Sequence, residues 1–151
     1  MLFDASAIMN LSRSDKSATL LKGNTIDLAF YEVGSSIRRK VCVDKLLTMD
    51  EGILALDSLT SVITSMGLVQ RADPGLVLQT ASRENLTFYD ASYLCAAEAT
   101  KEELVTDDQR LYDAARRRLK VLKSSDVPVE GSDPTPPASQ DAGRKSHVGV
   151  K

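Results

Sequence analysis

Apolar residues along this chain fall into short runs separated by stretches with helical spacing. The first run predicts a strand over residues 1–9 that ends in a turn. Farther along, Ala29, Val33 and Ile37 recur every four residues and predict the buried face of a helix that Asp27 caps. The same rules predict helices at residues 14–21, 74–85, 87–99 and 108–117, a helix-rich stretch at 44–66, and strands near 25–26, 68–70, 103–106 and 119–122.

Strands that alternate with helices in this way are typical of an α/β domain. We predict a three-layer α/β/α sandwich around a central parallel sheet. Gly67 and Asn85 are residue types that commonly end helices in a left-handed conformation. The composition changes at residue 127, after which four of the five prolines occur among Ser, Gly and Asp. The chain is therefore predicted to form one folded domain over residues 1–126 and a disordered tail over residues 127–151.

The scarcity of histidine and cysteine narrows the possible chemistry. The chain has one histidine, His147, and two cysteines, Cys42 and Cys95, which form no CxxC pair. A Ser-His-Asp triad, a histidine zinc-protease motif and a disulfide framework are disfavoured, and the cysteines are expected in the core or an interface. An enzyme of this composition would depend on carboxylates, whose oxygens suit hard cations such as Mg²⁺ or Mn²⁺.

Charge and hydropathy indicate neither a membrane protein nor a strongly charged one. The formal net charge is −2, which predicts no particular partner. No stretch approaches the roughly 20 apolar residues of a membrane span, and the first residues lack the basic and long apolar segments of a signal peptide. We expect a soluble, cytoplasmic protein that does not bind membranes.

Acidic residues stand at several predicted junctions between a strand and a helix. Asp4 follows the first apolar run, Asp90 lies in the first turn of its helix, and Asp107 and Asp108 follow the strand near residues 103–106. Ligands of parallel α/β sheets bind where the carboxyl ends of strands meet helix N-termini. Several carboxylates gathered at that edge would repel one another unless a cation lay between them.

Each acid also has a purely structural interpretation. Asp4 could cap the end of the strand, and Asp90 could complete a capping box with Thr87. Asp108 could stabilise the helix that follows it, because its negative charge would interact favourably with the positive end of the helix dipole. Glu32 differs, because it lies one turn into its helix beside the apolar face. Taken singly, the residues leave both interpretations open.

Four short segments carry these acids: DAS from Asp4 to Ser6, LAFYEV from Leu28 to Val33, FYDASYL from Phe88 to Leu94, and LVTDDQRL from Leu104 to Leu111. Taken in order, they resemble the motifs of PIN-domain ribonucleases, and most closely the VapC toxins of prokaryotic toxin–antitoxin pairs. The resemblance covers residues 1–122. It implies the PIN fold, in which a parallel sheet lies between helices and has an acidic pocket at its carboxyl end.

The resemblance also implies a Mg²⁺- or Mn²⁺-dependent endoribonuclease. Its metal-binding and catalytic acids would be Asp4, Glu32, Asp90 and Asp108. Ser6 and Thr106 match positions that support these acids by hydrogen bonding. The family usually has a small residue where this chain has Asp107, so Asp107 either adds charge to the pocket or faces solvent.

The expected partners are RNA, a cognate antitoxin protein and a second copy of the chain. An acidic pocket repels RNA, so basic residues should flank it. The antitoxin and the homodimer are implied by the resemblance alone. The candidate RNA-binding residues are Arg38, Arg39, Arg110, Arg116 and Arg117.

Three other kinds of protein share some of these features. A haloacid-dehalogenase-like phosphatase needs a second acid two residues after the first, where this chain has Ser6. A receiver domain needs a dedicated acceptor aspartate and a late lysine, for which the chain offers no convincing candidates. A PIN-like RNA-processing scaffold with little nuclease activity is the main alternative, because it could retain the same fold.

Overall fold

The computed structural model describes residues 1–129, and no helix in that range is long and apolar enough to cross a membrane. The strands are β1 (Leu2–Phe3), β2 (Asn24–Thr25), β3 (Gly67–Leu68), β4 (Leu104–Val105) and β5 (Val121–Leu122). The helices are α1 (Ala5–Leu11), α2 (Leu28–Cys42), α3 (Met49–Ser65), α4 (Pro74–Glu84), α5 (Phe88–Thr100) and α6 (Gln109–Ala115), with 3₁₀ helices at Ser17–Lys22 and Ser124–Asp126.

The strands form one parallel sheet in the order β3-β2-β1-β4-β5. In the central strand β1, Leu2 lies opposite Asn24 of β2 and Leu104 of β4, and Phe3 lies opposite Val105. The residues of β1 and β4 are fully buried, as expected for parallel strands covered by helices on both faces. The α/β sandwich with a parallel sheet is thus confirmed. The chain leaves β1 toward β2 and later returns beside β1 as β4, so the crevice between their carboxyl ends is the topological switch point.

The first nine residues differ from the sequence prediction. The strand ends at Phe3, and the residues that follow Asp4 form the helix α1. Asp4 caps this helix, because its side chain accepts a hydrogen bond from the backbone N–H of Ala7. The buried residues Ala7, Ile8 and Leu11 lie on one face of the helix. The predicted strand over residues 1–9 was therefore wrong beyond Phe3.

The two predicted helix terminators have different roles. Asn85 follows α4 with φ 54°, so the left-handed end predicted there is confirmed. Gly67 is instead the first residue of β3 and lies against Asn24, whose side chain would collide with a Cβ at this position. Gly67 is needed for close packing of β3 against β2 and not for a left-handed turn.

The last described residues close one side of the core. Val127 is 1% exposed and belongs to the main hydrophobic cluster. Of the predicted tail, residues 130–151 lie outside the described part of the chain, so the division into a domain and a tail stays a prediction.

The two cysteines, which were expected in the core or an interface, differ in exposure. Cys95 is buried, whereas Cys42 is exposed at the end of α2.

Candidate active site

The carboxyl ends of β1 and β4 open into a pocket of about 330 Å³. All four acids implied by the family resemblance line it, although they are far apart in the sequence. We therefore take this pocket as the candidate active site. Its lining residues are Asp4, Ala5, Ser6, Met9, Asn10, Glu32, Ser36, Asp90, Tyr93 and Asp108.

Asp4 is the most deeply buried of the four acids, with an exposed fraction of 5%. Its Oδ1 accepts hydrogen bonds from the backbone N–H of Ala7 at 2.8 Å and from Ser6 Oγ at 2.7 Å, and its Oδ2 accepts one from Thr106 Oγ1. Burial raises the pKa of Asp4 from 3.8 to about 6, although these hydrogen bonds oppose the rise. Asp4 is thus both a helix cap and part of the pocket.

Two hydroxyl groups join the β1–α1 junction to the β4–α6 junction. Thr106 is fully buried; its Oγ1 donates to Asp4 and accepts from the backbone N–H of Asp108 at 3.1 Å. Ser6 Oγ donates to Asp4 and accepts from the backbone N–H of Asp107 at 2.9 Å. Ser6 and Thr106, which the resemblance matched to positions that support the acids, thus both donate hydrogen bonds to Asp4.

Glu32 reaches the pocket from the second turn of α2 and is half-buried. Its Oε2 accepts a hydrogen bond from Tyr93 Oη at 2.7 Å. Burial raises the pKa of Glu32 above its ordinary value, and the bond from Tyr93 works in the opposite direction. The negative charges of Asp4, Asp90 and Asp108 raise this pKa further. The other three acids therefore lie within electrostatic range of Glu32.

Asp90 and Asp108 face the pocket while they also stabilise helix N-termini. Thr87 caps α5: its Oγ1 accepts from the backbone N–H of Asp90 at 3.0 Å and donates to Asp90 Oδ2 at 2.7 Å. Asp108 caps α6, since its Oδ1 accepts from the backbone N–H of Leu111 at 2.9 Å. Asp90 and Asp108 can therefore stabilise helix N-termini and line the pocket at the same time.

Asp107 does not line the pocket. Its Oδ2 accepts from Asn10 Nδ2 at 2.7 Å, and its Oδ1 accepts from the backbone N–H of Ser124 at 2.9 Å. Partial burial works against ionisation, but these hydrogen bonds and the charge of Lys123 together lower the pKa of Asp107. Its negative charge still contributes to the raised pKa of Asp4. Asp107 thus affects the pocket through charge and joins α1 to the end of β5.

The arginines predicted to contact RNA do not line the pocket either. Arg39 and Arg117 form ion pairs, with Asp44 at 3.5 Å and with Glu84 at 2.8 Å. The helices that carry them start at the carboxyl edge of the sheet and run back along it, so their C-terminal ends lie away from the acids. Those ends carry Arg38, Arg39, Arg116 and Arg117.

Arg110 is placed differently from the other arginines. It lies in the first turn of α6, two residues after Asp108. Its Nη2 donates to the carbonyl oxygen of Asn85 at 2.9 Å, and the residue is exposed. Of the five arginines predicted to bind RNA, Arg110 is therefore the one that is nearest in sequence to a pocket acid.

Sequence reasoning assigned no role in the site to five of the lining residues. Two of them could have been found by helical spacing, which places residues three or four positions apart on one face. Tyr93 follows Asp90 by three positions, and Ser36 follows Glu32 by four. The other three are Ala5, Met9 and Asn10.

The pocket offers the oxygen ligands that Mg²⁺ and Mn²⁺ prefer. Within residues 1–129, Glu32 Oε1, Asp90 Oδ1 and Asp108 Oδ2 accept no hydrogen bond, so one oxygen of each acid is available. In the same range no three His, Cys, Asp or Glu side chains are already arranged to hold an ion. The residue types fit a divalent cation, and binding would require their carboxylates to turn toward a common point.

Comparisons with known proteins agree with this fold. Ribonuclease VapC1 of Mycobacterium tuberculosis, found in strains CDC 1551 and H37Rv, is 34% identical over 117 residues, which cover 72% of this chain and 85% of VapC1. The crystal structure of PAE2754 from Pyrobaculum aerophilum superposes with a TM-score of 0.70 at 29% identity, over 82% of this chain and 90% of that one. No protein-family model matches the chain.

The match to VapC1 extends over most of both proteins. Its sequence identity of 34% is higher than a shared fold alone would require. The structural match to PAE2754 likewise covers most of both chains. On this evidence the chain belongs to the VapC family of PIN-domain ribonucleases.

Proposed function

We propose that this protein is a Mg²⁺- or Mn²⁺-dependent endoribonuclease and the toxin of a toxin–antitoxin pair. The observation that supports this most strongly is the convergence of Asp4, Glu32, Asp90 and Asp108 on one pocket. The chain is a member of a ribonuclease family, and phosphodiester hydrolysis is a reaction for which carboxylates that hold a divalent cation are suited. No histidine lies in the described part of the chain, so proton transfer would depend on carboxylates.

In this proposal the hydrogen bonds and burial of each acid determine its role. Asp4 is the principal ligand, because three hydrogen bonds hold its carboxylate in one orientation. Asp90 and Asp108 contribute the oxygens that their helix caps leave available. Glu32, whose pKa is raised chiefly by burial, uses Oε1 to bind the cation or to accept a proton from the attacking water. The bound cation would lower the pKa of that water and would offset negative charge on the phosphate.

RNA would reach the pocket across surfaces that combine cations and aromatic rings. Tyr31 and Tyr89 are exposed and directly precede Glu32 and Asp90, so either ring could stack on a base next to the cleaved bond. Arg110 would contact a nearby phosphate. The more distant arginines at the ends of α2 and α6 would contact phosphates farther along the strand.

The proposed protein partners are an antitoxin and a second copy of the chain. An antitoxin could block the pocket by inserting a basic side chain among the carboxylates, where its charge would replace that of the cation. Exposed apolar residues of α3, namely Met49, Ile53 and Leu54, could contribute to a homodimer.

The proposal predicts that cleavage of a structured RNA depends on a divalent cation. Purified full-length protein should cut the RNA with Mn²⁺ or Mg²⁺, and excess EDTA should lower the rate by about 100-fold or more, because the carboxylates alone cannot offset the charge of the phosphate. The measurement is the initial rate of fragment formation on a gel, and restoring Mn²⁺ should restore that rate.

The design separates this activity from two alternatives. A contaminating ribonuclease that needs no metal would continue to cut in EDTA. A PIN-like scaffold would neither cut RNA nor bind Mn²⁺, so the absence of both properties in the wild-type protein would overturn the proposal.

The neighbouring acids Asp107 and Asp108 form a matched pair for a second test. Asp108→Asn should lower cleavage by about 100-fold, because it removes a proposed ligand while its remaining oxygen can still cap α6. Asp107→Asn should change cleavage by less than about threefold, because that side chain does not line the pocket and its oxygens accept hydrogen bonds from Asn10 and Ser124. Rates are compared at saturating Mn²⁺. A larger loss in Asp107→Asn than in Asp108→Asn would mean that the ligand has been assigned to the wrong aspartate.

A further inference from the structure

Tyr93 combines a buried ring with a hydroxyl group at the acidic pocket. The residue is 1% exposed, and it belongs to the hydrophobic core while also lining the pocket. Its Oη donates to Glu32 Oε2 at 2.7 Å and so joins α5 to α2 across 61 residues of sequence. Burial raises the pKa of Tyr93 above its ordinary value, and so does the adjacent charge of Glu32. The phenol therefore remains a hydrogen-bond donor.

Glu32 differs from the other three acids in how its carboxylate is held. Asp4 and Asp108 cap their own helices, and Asp90 exchanges hydrogen bonds with a capping threonine. Glu32 lies inside α2, where it has no such local partner. In the described part of the chain, the bond from Tyr93 is the one hydrogen bond that its carboxylate accepts.

A glutamate that is not held in this way would occupy many rotamers. Fixing such a side chain costs conformational entropy, and ligand binding would have to offset that cost. The bond from Tyr93 engages Oε2 and leaves Oε1 without a hydrogen bond within residues 1–129. The long-range bond from Tyr93 therefore holds the carboxylate of Glu32 in place, as the hydrogen bonds at helix N-termini hold the carboxylates of the three aspartates.

We propose that Tyr93 is a positioning residue, whose hydroxyl holds Oε2 of Glu32 so that Oε1 is presented to the divalent cation. This inference rests on the proposed metal-dependent function. Tyr93 itself contacts neither the cation nor RNA in this scheme, and it acts only through Glu32. Its loss should therefore weaken metal binding and turnover but not the binding of RNA.

The test uses Tyr93→Phe in the full chain, since this change removes the hydroxyl and keeps the ring in the core. Mn²⁺ binding is measured without RNA from the electron paramagnetic resonance signal of free Mn²⁺. We expect the affinity for Mn²⁺ and kcat each to fall about tenfold, as is typical when a group that orients a metal ligand is lost. KM for RNA should stay within about twofold of wild type, because RNA contacts are unchanged.

Tyr112→Phe is the matched control. Tyr112 lies on α6, its ring contacts Lys123 Nζ at 4.5 Å from the ring centroid, and its hydroxyl forms no hydrogen bond with residues 1–129. This variant should keep both the Mn²⁺ affinity and the cleavage rate. A double-mutant cycle with Glu32→Ala completes the design: without a carboxylate to position, Tyr93→Phe should produce no further loss of Mn²⁺ affinity.

Two results would overturn the inference while leaving the proposed function intact. One is wild-type Mn²⁺ affinity in Tyr93→Phe, whatever its melting temperature. The other is an undiminished effect of Tyr93→Phe in the Glu32→Ala background. If Tyr93→Phe does not fold, Glu32→Asp provides the same test, because its shorter side chain draws away from the Tyr93 hydroxyl; unchanged Mn²⁺ affinity would then refute the inference. Failure of the wild-type protein to bind Mn²⁺ and cut RNA would refute the proposed function, and this inference with it.

Discussion

Asp4→Asn is expected to lower RNA cleavage by at least about 100-fold and to make the metal-free protein more stable at neutral pH. The change keeps the size of the side chain and removes the charge of the most buried pocket acid. Loss of a residue that merely orients a metal ligand costs about 10- to 100-fold in affinity or activity. Loss of the principal ligand should therefore cost at least the larger of these factors.

The gain in stability follows from the pKa of Asp4. Burial raises this pKa from 3.8 to about 6, so the folded protein binds the proton more tightly than the unfolded chain does. The stabilisation from protonation is full below pH 3.8, decreases as the pH rises, and is lost above about pH 6. The ionised carboxylate then costs about 3 kcal/mol, at 1.36 kcal/mol per pH unit. An asparagine avoids this cost but loses about 1 kcal/mol in hydrogen bonding.

Urea unfolding in EDTA measures this effect. Asp4→Asn should be about 1–2 kcal/mol more stable than wild type at about pH 7.5, and the difference should approach zero near pH 4.5. Asp57→Asn, an exposed change on α3, is the control and should alter neither stability nor cleavage. Full cleavage by Asp4→Asn would refute its role as a ligand, and a stability difference that does not depend on pH would refute the explanation by burial.

Thr106→Val is expected to impair both catalysis and folding. Thr106 Oγ1 donates to Asp4 Oδ2 and accepts from the backbone N–H of Asp108, so one hydroxyl supports two pocket acids. Its removal should lower cleavage by about 10- to 100-fold at saturating Mn²⁺. It should also lower the free energy of unfolding by about 2 kcal/mol at neutral pH, since a hydrogen bond to a buried charge is lost.

The pH dependence distinguishes this effect from an ordinary packing defect. Without the Thr106 donor, the pKa of Asp4 should rise further, so the loss of stability should be largest above about pH 6 and smaller where Asp4 is protonated. Thr25→Val is the matched control, because Thr25 is equally buried and its Oγ1 donates to the carbonyl oxygen of Phe3 at 2.8 Å. The control should cost about 1 kcal/mol independently of pH and keep cleavage within about threefold. Identical behaviour of the two variants would contradict a specific role for Thr106.

Local patterns were sufficient to predict most of the elements and the positions of the acids between them. The cap at Thr87, the left-handed Asn85 and the placement of Asp108 before a helix depend on residues a few positions apart, so they can be recognised in the sequence. The same kind of pattern misjudged residues 1–9, because a short apolar run is compatible with either a strand or a helix. The strand ends at Phe3 because the side chain of Asp4 caps α1.

The individual hydrogen bonds between distant side chains could be learned only from the folded chain. Thr106 reaches Asp4 across 102 residues, and Tyr93 reaches Glu32 across 61. Asp107, although adjacent in sequence to a pocket acid, turns toward α1 and the end of β5. These contacts depend on the register of β1 against β4 and on how the helices pack over the sheet. No short-range pattern specifies either, since both arise from the burial of the whole core.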